Sequence, residues 1–251
     1  MKKLFNREKK EIFSNIKSSD IIINKEQMNQ LPYCVIKWLK LSGIEGHKEI
    51  SSLWIKQSIK MKLNQNQKKW NYAKAQQYIT TNPSAFIWKV KMNFLKYLNI
   101  WGRDKFIDSK GEMLIRFGFI RLGKSKGIKI DEGTMQRFLA EMVWYPTYAL
   151  SENIKWIEID DYSAKAILTI NNRSCEGTFH FNKNGFVDNF STLRYMGNKT
   201  DKKIPWIAKI NSYNKYEDFI IPSKMEAKWV LDSGEWTWLK LTVDEIKFNC
   251  N

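Results

Sequence analysis

The side chains whose types and spacing best fit a catalytic or binding site are Arg137, Glu141 and Trp144. They fall in the stretch DEGTMQRFLAEMVWYP, which spans Asp131–Pro146. A carboxyl group that lies beside an indole and is partly removed from water can act as a general acid. Arg137 precedes Glu141 by four residues, however, and in a helix that spacing lets the two side chains pair. We therefore expect an ion pair, and Glu141 is the one candidate catalytic residue.

Two further polar pairs stand among apolar neighbours at the ends of predicted strands. Arg103 and Asp104 are adjacent in GRD, and Arg194 is followed by Tyr195. An arginine at such a position can bind the carboxylate or phosphate of a ligand, or it can pair internally with an acid. We expect Arg103 to hold an internal ion pair. Arg194 and Tyr195 suit the wall of a ligand site, with an internal pair of Arg194 as the alternative.

Motifs of known catalytic centres are absent from the sequence. There is no GxSxG, no HExxH and no Gly-rich phosphate loop, and no motif surrounds His47 or His180. The three cysteines, Cys34, Cys175 and Cys250, stand at no recognisable metal-ligand spacing. The sequence therefore predicts no metal site and no cofactor, and it favours a non-catalytic protein over an enzyme.

The chain is strongly basic, with 42 Lys and Arg against 26 Asp and Glu and a formal net charge of +16. A basic surface attracts nucleic acids and anionic membranes. The lysines are spread along the whole chain, and they outnumber the arginines that read bases and phosphates best. Nucleic acid is therefore a disfavoured partner. An anionic membrane surface, contacted by the basic segment Met1–Lys17, is a further candidate partner.

The residues around Arg137 predict an amphipathic helix over residues 131–145. One side of it is wholly apolar at helical spacing, with Met135, Phe138, Leu139, Met142 and Val143. The pair Tyr145–Pro146 predicts its end, because the residue before a proline is disfavoured in a helix. A second helix is predicted over about Lys25–Leu41, where Pro32 suits the first turn of its main part and Gly43 suits the stop.

Most of the remaining sequence alternates between apolar and polar residues, which is the pattern of half-buried strands. The clearest case is Ala85–Leu95, whose even-numbered positions are all apolar. Turn signals such as Asn171–Asn172 separate the strands at intervals of about 8–12 residues, which indicates an antiparallel meander. Within the predicted strand Glu112–Leu122, both faces are largely apolar over Met113–Leu122, so we expect a central strand that is covered on both sides.

These patterns predict an α+β fold: a large curved antiparallel β-sheet or half-barrel with a plug helix (131–145) and two N-terminal helices. No Pro/Gly/Ser-rich linker divides the chain. We therefore expect a single domain over residues 1–251. It consists of a basic N-terminal arm or helix (1–24) and a body of antiparallel sheet and helix (25–251).

Seven blocks of the sequence carry a further signal, of which RFLAEMVWYP in the plug helix is the most specific. They lie at Leu31–Gly46 (LPYCVIKWLKLSGIEG), Ala75–Trp88 (AQQYITTNPSAFIW), Gly102–Met113 (GRDKFIDSKGEM), Asp131–Leu150 (DEGTMQRFLAEMVWYPTYAL), Trp156–Ala166 (WIEIDDYSAKA), Arg194–Tyr195 (RY) and Ile221–Trp229 (IPSKMEAKW). Together they resemble a family of mainly bacterial proteins catalogued only as a domain of unknown function. The resemblance runs from about Leu31 to the C-terminus, and it implies no activity, substrate or site residue.

Members of such a family commonly carry a hydrophobic N-terminal anchor. The resemblance therefore implies a chain that is soluble as written and membrane-associated where an anchor precedes Met1, so the localisation stays open. The expected architecture is also similar to the half-barrel of bacterial lipoprotein-carrier domains. That similarity is an analogy of fold, and fold does not imply function.

The favoured hypothesis is non-catalytic binding of a lipid or other hydrophobic small molecule in a cavity between the curved sheet and the plug helix. It depends on aromatic residues at strand positions, which could equally fill a closed core: Trp88, Phe94, Phe117, Phe119, Trp229, Trp236 and Trp238. The candidate ligand-binding residues are Arg137, Glu141, Trp144, Arg103, Asp104, Arg194, Tyr195, Trp88 and Trp229. One alternative is a hydrolase- or isomerase-type enzyme using Glu141 with Asp104 or Arg194. The other is a peripheral membrane-surface scaffold.

Overall fold

The computed structural model describes residues 2–95, 98–198 and 200–250, and the strands within these ranges form one antiparallel sheet. The strands are β1 (Ser52–Met61), β2 (Asn71–Thr81), β3 (Ser84–Leu95), β4 (Leu98–Ile107), β5 (Lys110–Phe117), β6 (Ile120–Ser125), β7 (Ile154–Asp160), β8 (Ser163–Ile170), β9 (Arg173–Phe181), β10 (Val187–Arg194), β11 (Ile204–Tyr216), β12 (Phe219–Leu231) and β13 (Gly234–Phe248). The α-helices are α1 (Lys2–Phe13), α2 (Tyr33–Leu41) and α3 (Ile128–Ala140).

The strand order is β6-β5-β4-β3-β2-β1-β13-β12-β11-β10-β9-β8-β7, so two antiparallel meanders meet where β1 pairs with β13. Residues that tolerate positive φ make the tight turns. Asp108 and Ser109 have φ of 52° and 60° between β4 and β5, and Asn171 and Asn172 have φ of 48° and 61° between β8 and β9. Two-residue turns of this kind match the twist of paired strands. The predicted antiparallel meander is confirmed.

The plug helix, α3, touches strands from both halves of the sheet. Asp131 in its first turn accepts a hydrogen bond from the backbone N–H of Gly111 on β5 (2.7 Å) and another from Arg173 on β9 (2.6 Å). In a flat sheet, β5 and β9 would lie roughly 40 Å apart, because eight other strands separate them. One carboxylate reaches both, so the sheet is curled around α3. The predicted α+β fold, a curved sheet with a plug helix, is confirmed.

The plug helix differs from its predicted bounds at both ends. It begins at Ile128, after Gly127 with φ of 112°, and its α-helical part ends at Ala140. The chain then continues as 3-10 turns over Glu141–Trp144 and Pro146–Leu150. The apolar side that the sequence predicted remains in the core, with Met135, Phe138, Leu139, Met142 and Val143.

Two helices precede the sheet, as predicted, although the second begins at Tyr33 and not near Lys25. They cover different parts of the sheet. α1 packs on the outer face, where Phe5 and Ile12 are buried against Ile87 of β3. α2 covers one end of the half-barrel, since the carbonyl of Ser42, just after it, accepts from the N–H of Ile220 beside the β11–β12 turn (3.1 Å). No described helix is long and apolar enough to cross a membrane. The single domain over residues 1–251 stays a prediction.

The other end of the strands carries the β1–β2, β5–β6 and β12–β13 turns, because every second turn of an antiparallel meander lies on the same side. We call it the distal end.

One prediction from the sequence is wrong at the distal end, because Glu112–Leu122 is not one covered strand. Gly118, with φ of 54°, breaks it into β5 and β6, and β6 is an edge of the sheet. Apolar residues on both faces usually mark burial, but Ile120 and Leu122 are exposed.

Candidate functional site

Four polar side chains meet on the concave face, and we call them the Arg137 network. Arg137 on α3 donates from Nε to Oε1 of Glu141 (2.7 Å) and from Nη1 to Oδ2 of Asp104 on β4 (2.8 Å). Gln77 on β2 accepts from Nη2 of Arg137 (3.3 Å) and donates to Oε2 of Glu141 (2.5 Å). The strand residues point inward because alternate side chains of a strand face the same side. The sequence prediction of an Arg137–Glu141 pair is thus confirmed, with Asp104 added to it.

The charges of the Arg137 network are balanced within the protein. The guanidinium of Arg137 also lies over the ring of Trp88, 4.8 Å from its centroid. Burial acts against the charge, but Glu141 and Asp104 outweigh burial and raise the pKa of Arg137. Trp88 in turn donates its indole N–H to Gln57 (2.9 Å). This arrangement holds α3 on the concave face, and it leaves the arginine committed to internal partners.

Glu141, the candidate catalytic residue, is closed off by the same network. Both of its carboxylate oxygens accept hydrogen bonds, and the residue is only 8% exposed. The enzymatic alternative requires Glu141 to be free of Arg137 and to face an open pocket with Asp104 or Arg194. Arg137 instead lies between Glu141 and Asp104 and bonds to both. The geometry therefore does not support Glu141 as a catalytic residue.

Arg103 and Trp144 lie away from the Arg137 network. Arg103 points to the outer face, opposite to its neighbour Asp104, and pairs there with Glu112 of β5 and with Glu8 of α1 (3.3 Å). Trp144 is buried and donates its indole N–H to a backbone carbonyl of β12 (3.1 Å). Neither side chain presents a free group to the concave face, so we assign both to the stability of the fold.

The ion pairs of Glu112 make a pH-dependent contribution to stability. Burial acts to raise the pKa of Glu112, but hydrogen bonds from Lys126 and Arg103 outweigh it and hold the pKa at about 2. A folded-state pKa below the ordinary 4.5 stabilises the fold above pH 4.5, and that stabilisation is lost as the pH falls towards 2. We therefore expect the difference in the free energy of unfolding between the wild type and Glu112→Gln to decrease by about 2 kcal/mol from pH 7 to pH 3. Urea unfolding at the two pH values measures this difference.

A matched control for Glu112 is Glu176, whose carboxylate is exposed and pairs with Lys165 (3.3 Å). Exposed pairs contribute little. The gap between the wild type and Glu176→Gln should therefore stay within about 0.5 kcal/mol at both pH values. An equal gap for Glu112→Gln at pH 7 and pH 3 would contradict the depressed pKa.

Arg194, at the end of β10, differs from Arg137 in its surroundings. Its guanidinium lies over the ring of Trp206 (4.9 Å to the centroid) and against α3 at Gly133, where an added Cβ would be 3.1 Å from its Nε. It is half-buried, and burial, followed by repulsion from Arg137, lowers its pKa to about 10. It therefore remains charged at neutral pH. Among the described residues, no carboxylate oxygen lies within 4.0 Å of it.

Three tryptophans lie side by side across neighbouring strands next to Arg194. Trp206 on β11 is directly opposite Trp229 on β12, which is directly opposite Trp236 on β13. We call these three the Trp row. Trp206 and Trp229 are buried, whereas Trp236 is half-buried. The sequence analysis named Trp229 and Trp236 but not Trp206, because only the strand register shows that the three residues are neighbours.

The Trp row carries hydrogen-bond donors without acceptors. The indole N–H groups of Trp206, Trp236 and the nearby Trp238 are buried and have no partner in the described part of the chain. Each buried donor left without an acceptor costs about 1–3 kcal/mol. Together with Arg194, these groups form a surface that is apolar, rich in donors and short of acceptors.

Tyr195 and a cavity lie next to this surface. Lys129 and Lys203 stand over the ring of Tyr195 at 5.1 and 5.3 Å. A cavity of about 530 Å³ between α3 and the sheet is lined partly by Gln136 and Lys203. It opens where β10 stops pairing with β9 after Ser191. In the described ranges, no group of His, Cys, Asp and Glu is placed to hold a metal ion.

One of the aromatic residues expected at a cavity lies elsewhere. Phe119 does not face the concave side, because it lies in the β5–β6 turn and is almost fully exposed. The side chain of Phe94 lies outside the described part of the structure. The concave aromatic surface therefore rests on Trp88 beside Arg137 and on the Trp row beside Arg194.

Comparisons with known proteins bear on family and fold. A family model described as a family of unknown function (DUF6920) matches residues 29–248. A search of the curated proteins gives no match. A similar solved structure is the crystal structure of the LolA superfamily protein NE2245 from Nitrosomonas europaea. It has 11% identity and a TM-score of 0.47, with 87% of this chain and 93% of that chain covered. The curled sheet is established by the strand order and by the contacts of α3 with both of its halves, and nothing about a ligand follows from a similarity at this level.

Proposed function

We propose that this chain, which belongs to a family of unknown function (DUF6920), binds an anionic amphiphile on the concave face. The family assigns no activity, so the proposal is drawn from the geometry. The apolar part of the ligand lies along the Trp row, and its anionic group is held by Arg194. The observation that carries the proposal is a half-buried cation beside an aromatic surface, with no carboxylate oxygen of the described residues within 4.0 Å of it.

The difference between the two concave arginines supports this assignment. Arg137 has two carboxylates of the protein within 2.8 Å, and its pKa is raised. Arg194 has neither, and its pKa is lowered to about 10. A charge held partly out of water is costly unless it is paired. A bound carboxylate or phosphate would supply the missing partner through charge-assisted hydrogen bonds.

The Trp row explains why the ligand is amphiphilic rather than a simple anion. Aromatic rings bury large apolar areas, and the half-buried Trp236 leaves part of the row accessible. A lipid-like molecule with one anionic group matches both the apolar surface and the charge of Arg194.

Titration of the intrinsic tryptophan fluorescence with palmitate, and with hexadecanol as its uncharged counterpart, tests the proposal. The wild type should bind palmitate more tightly than hexadecanol. Arg194→Met should weaken palmitate binding about 10- to 100-fold, since a hydrogen bond to a charged group contributes about 1.5–3 kcal/mol. Hexadecanol binding should change little, because its head carries no charge.

The control variant is Arg7→Met, which removes an exposed arginine of α1 on the outer side of the sheet. It should bind both probes as the wild type does. If Arg194→Met binds palmitate as tightly as Arg7→Met, the assigned role of Arg194 is wrong. If the wild type binds neither probe, the proposed function is wrong.

A further inference from the structure

The turn between β5 and β6 exposes a compact group of large apolar side chains. Phe119 is 99% exposed, Ile120 is 64% exposed and Leu122 is 60% exposed. We call residues 115–122 the β5–β6 tip. Phe119, Ile120 and Leu122 belong to neither hydrophobic cluster of the described residues, although neighbouring strands bury their apolar residues. Contiguous exposed apolar groups of this kind mark an interaction surface.

The surroundings of the β5–β6 tip are basic. The segment from Ile115 to Lys129 contains five Lys and Arg residues and no Asp or Glu. Lys124 and Lys126 reach Glu112 at 3.3 and 2.7 Å, yet both remain substantially exposed. Arg121 is exposed as well. The tip therefore presents apolar side chains with cations close behind them.

We propose that the β5–β6 tip docks on an anionic lipid bilayer, with Phe119, Ile120 and Leu122 entering the interface between head groups and acyl chains. Apolar side chains gain free energy by leaving water at that depth. Cations at the same level are attracted to anionic head groups. The combination matches both layers of a bilayer surface, whereas an ordinary solvated hairpin would carry polar residues at the turn.

The sheet edge formed by β6 is unsuited to pairing with a second copy of the chain. β6 has only six residues, and its pairing with β5 is interrupted by a register shift between Ile115 and Arg116. Arg121 and Lys124 project from the same short strand. Short, irregular and charged edges are features that prevent strand pairing between molecules. Charge and shape therefore favour a lipid surface as the occupant.

The proposed contact differs from the one expected from the sequence alone. The segment Met1–Lys17 was the expected membrane contact, and Met1 lies outside the described residues. The apolar side of α1 is already used, because Phe5 and Ile12 are buried on the sheet. At the β5–β6 tip, by contrast, Phe119, Ile120 and Leu122 are exposed at the distal end.

This inference does not rest on the proposed ligand, and the two can fail separately. The test is co-sedimentation of the full chain with vesicles of phosphatidylcholine and phosphatidylglycerol, compared with vesicles of phosphatidylcholine alone. The wild type should partition at least about tenfold more strongly onto the anionic vesicles, and added salt should reduce this binding. The variant Phe119→Ser/Ile120→Ser should lose about tenfold or more of it.

The opposite edge of the sheet offers a matched control, because Ile157 and Ile159 of β7 are also exposed but alternate with acidic residues. Ile157→Ser/Ile159→Ser should sediment as the wild type does. Phe119→Ser/Ile120→Ser should keep the wild-type thermal midpoint and palmitate affinity, since neither replaced side chain packs in the core. The proposal is overturned if this variant sediments like the wild type, or if the wild type does not bind anionic vesicles. It is also overturned if the substitutions only abolish self-association, as measured by light scattering.

Discussion

Replacing Arg137 by methionine is expected to lower the free energy of unfolding by about 3–5 kcal/mol. The substitution leaves the carboxylates of Asp104 and Glu141 on the concave face without the cation that bonds to both at 2.8 and 2.7 Å. Breaking one side of a buried ion pair is costly because the remaining charge has no compensation. Urea unfolding at neutral pH, followed by circular dichroism, measures the loss.

Two further variants serve as controls for the Arg137→Met variant. Lys165→Met breaks only the partly exposed pair with Glu176 and should cost no more than about 0.5 kcal/mol. Combining Arg137→Met with Asp104→Asn and Glu141→Gln removes the charges together, and it should recover much of the stability lost in the single variant. A single variant as stable as Lys165→Met would mean that the Arg137 network is solvated and does not hold α3.

Gly111→Ala is expected to lower the free energy of unfolding by about 2–3 kcal/mol. An added Cβ would lie 2.4 Å from Oγ1 of Thr134 and 2.7 Å from the carbonyl oxygen of Ile130. One of these atoms belongs to the helix backbone, so α3 itself must move away from β5. That movement would also strain the hydrogen bond from the Gly111 N–H to Asp131. The same urea titration measures the effect.

Gly123 on β6 supplies the control for Gly111. A Cβ added there meets no atom within 4 Å, and Gly123→Ala should stay within about 0.5 kcal/mol of the wild type. The two variants make the same chemical change on neighbouring paired strands. Equal stabilities would contradict the close packing of α3 on β5. A large loss for Gly111→Ala alone would support it.

The overall architecture was predictable because its signals are local. Alternation in Ala85–Leu95 predicts a strand that the structure places at Ser84–Leu95. Turn residues such as Asn171–Asn172 predict hairpins, and those residues do adopt positive φ. The apolar side of the plug helix, from Met135 to Val143, predicts its burial. Each signal arises from the period of an element or from the conformation of one turn.

The β5–β6 region was not predictable from the same signals. A run of apolar residues in Glu112–Leu122 has the composition of a covered strand. Its true state depends on Gly118 adopting φ of 54° and on no other element covering β6. The first is one choice among several open to a glycine. The second is a property of the whole chain, which a local pattern does not contain.

The candidate site was only partly predictable. The spacing of Arg137 and Glu141 indicates their pair, and the structure confirms it. The sequence does not indicate that Asp104 completes this pair while its neighbour Arg103 faces the other side of the sheet. Nor does it indicate that Arg194 has no carboxylate beside it. Both facts depend on which strands the curled sheet brings under α3.

The most direct test of the binding proposal is native mass spectrometry of the purified full chain, before and after incubation with palmitate. We expect the wild type to carry a bound amphiphile, or to take up palmitate, with a bound mass that organic extraction removes. Arg194→Met should carry markedly less, and Arg7→Met should match the wild type. A wild-type protein that shows only the mass of its own chain under both conditions would contradict the proposal.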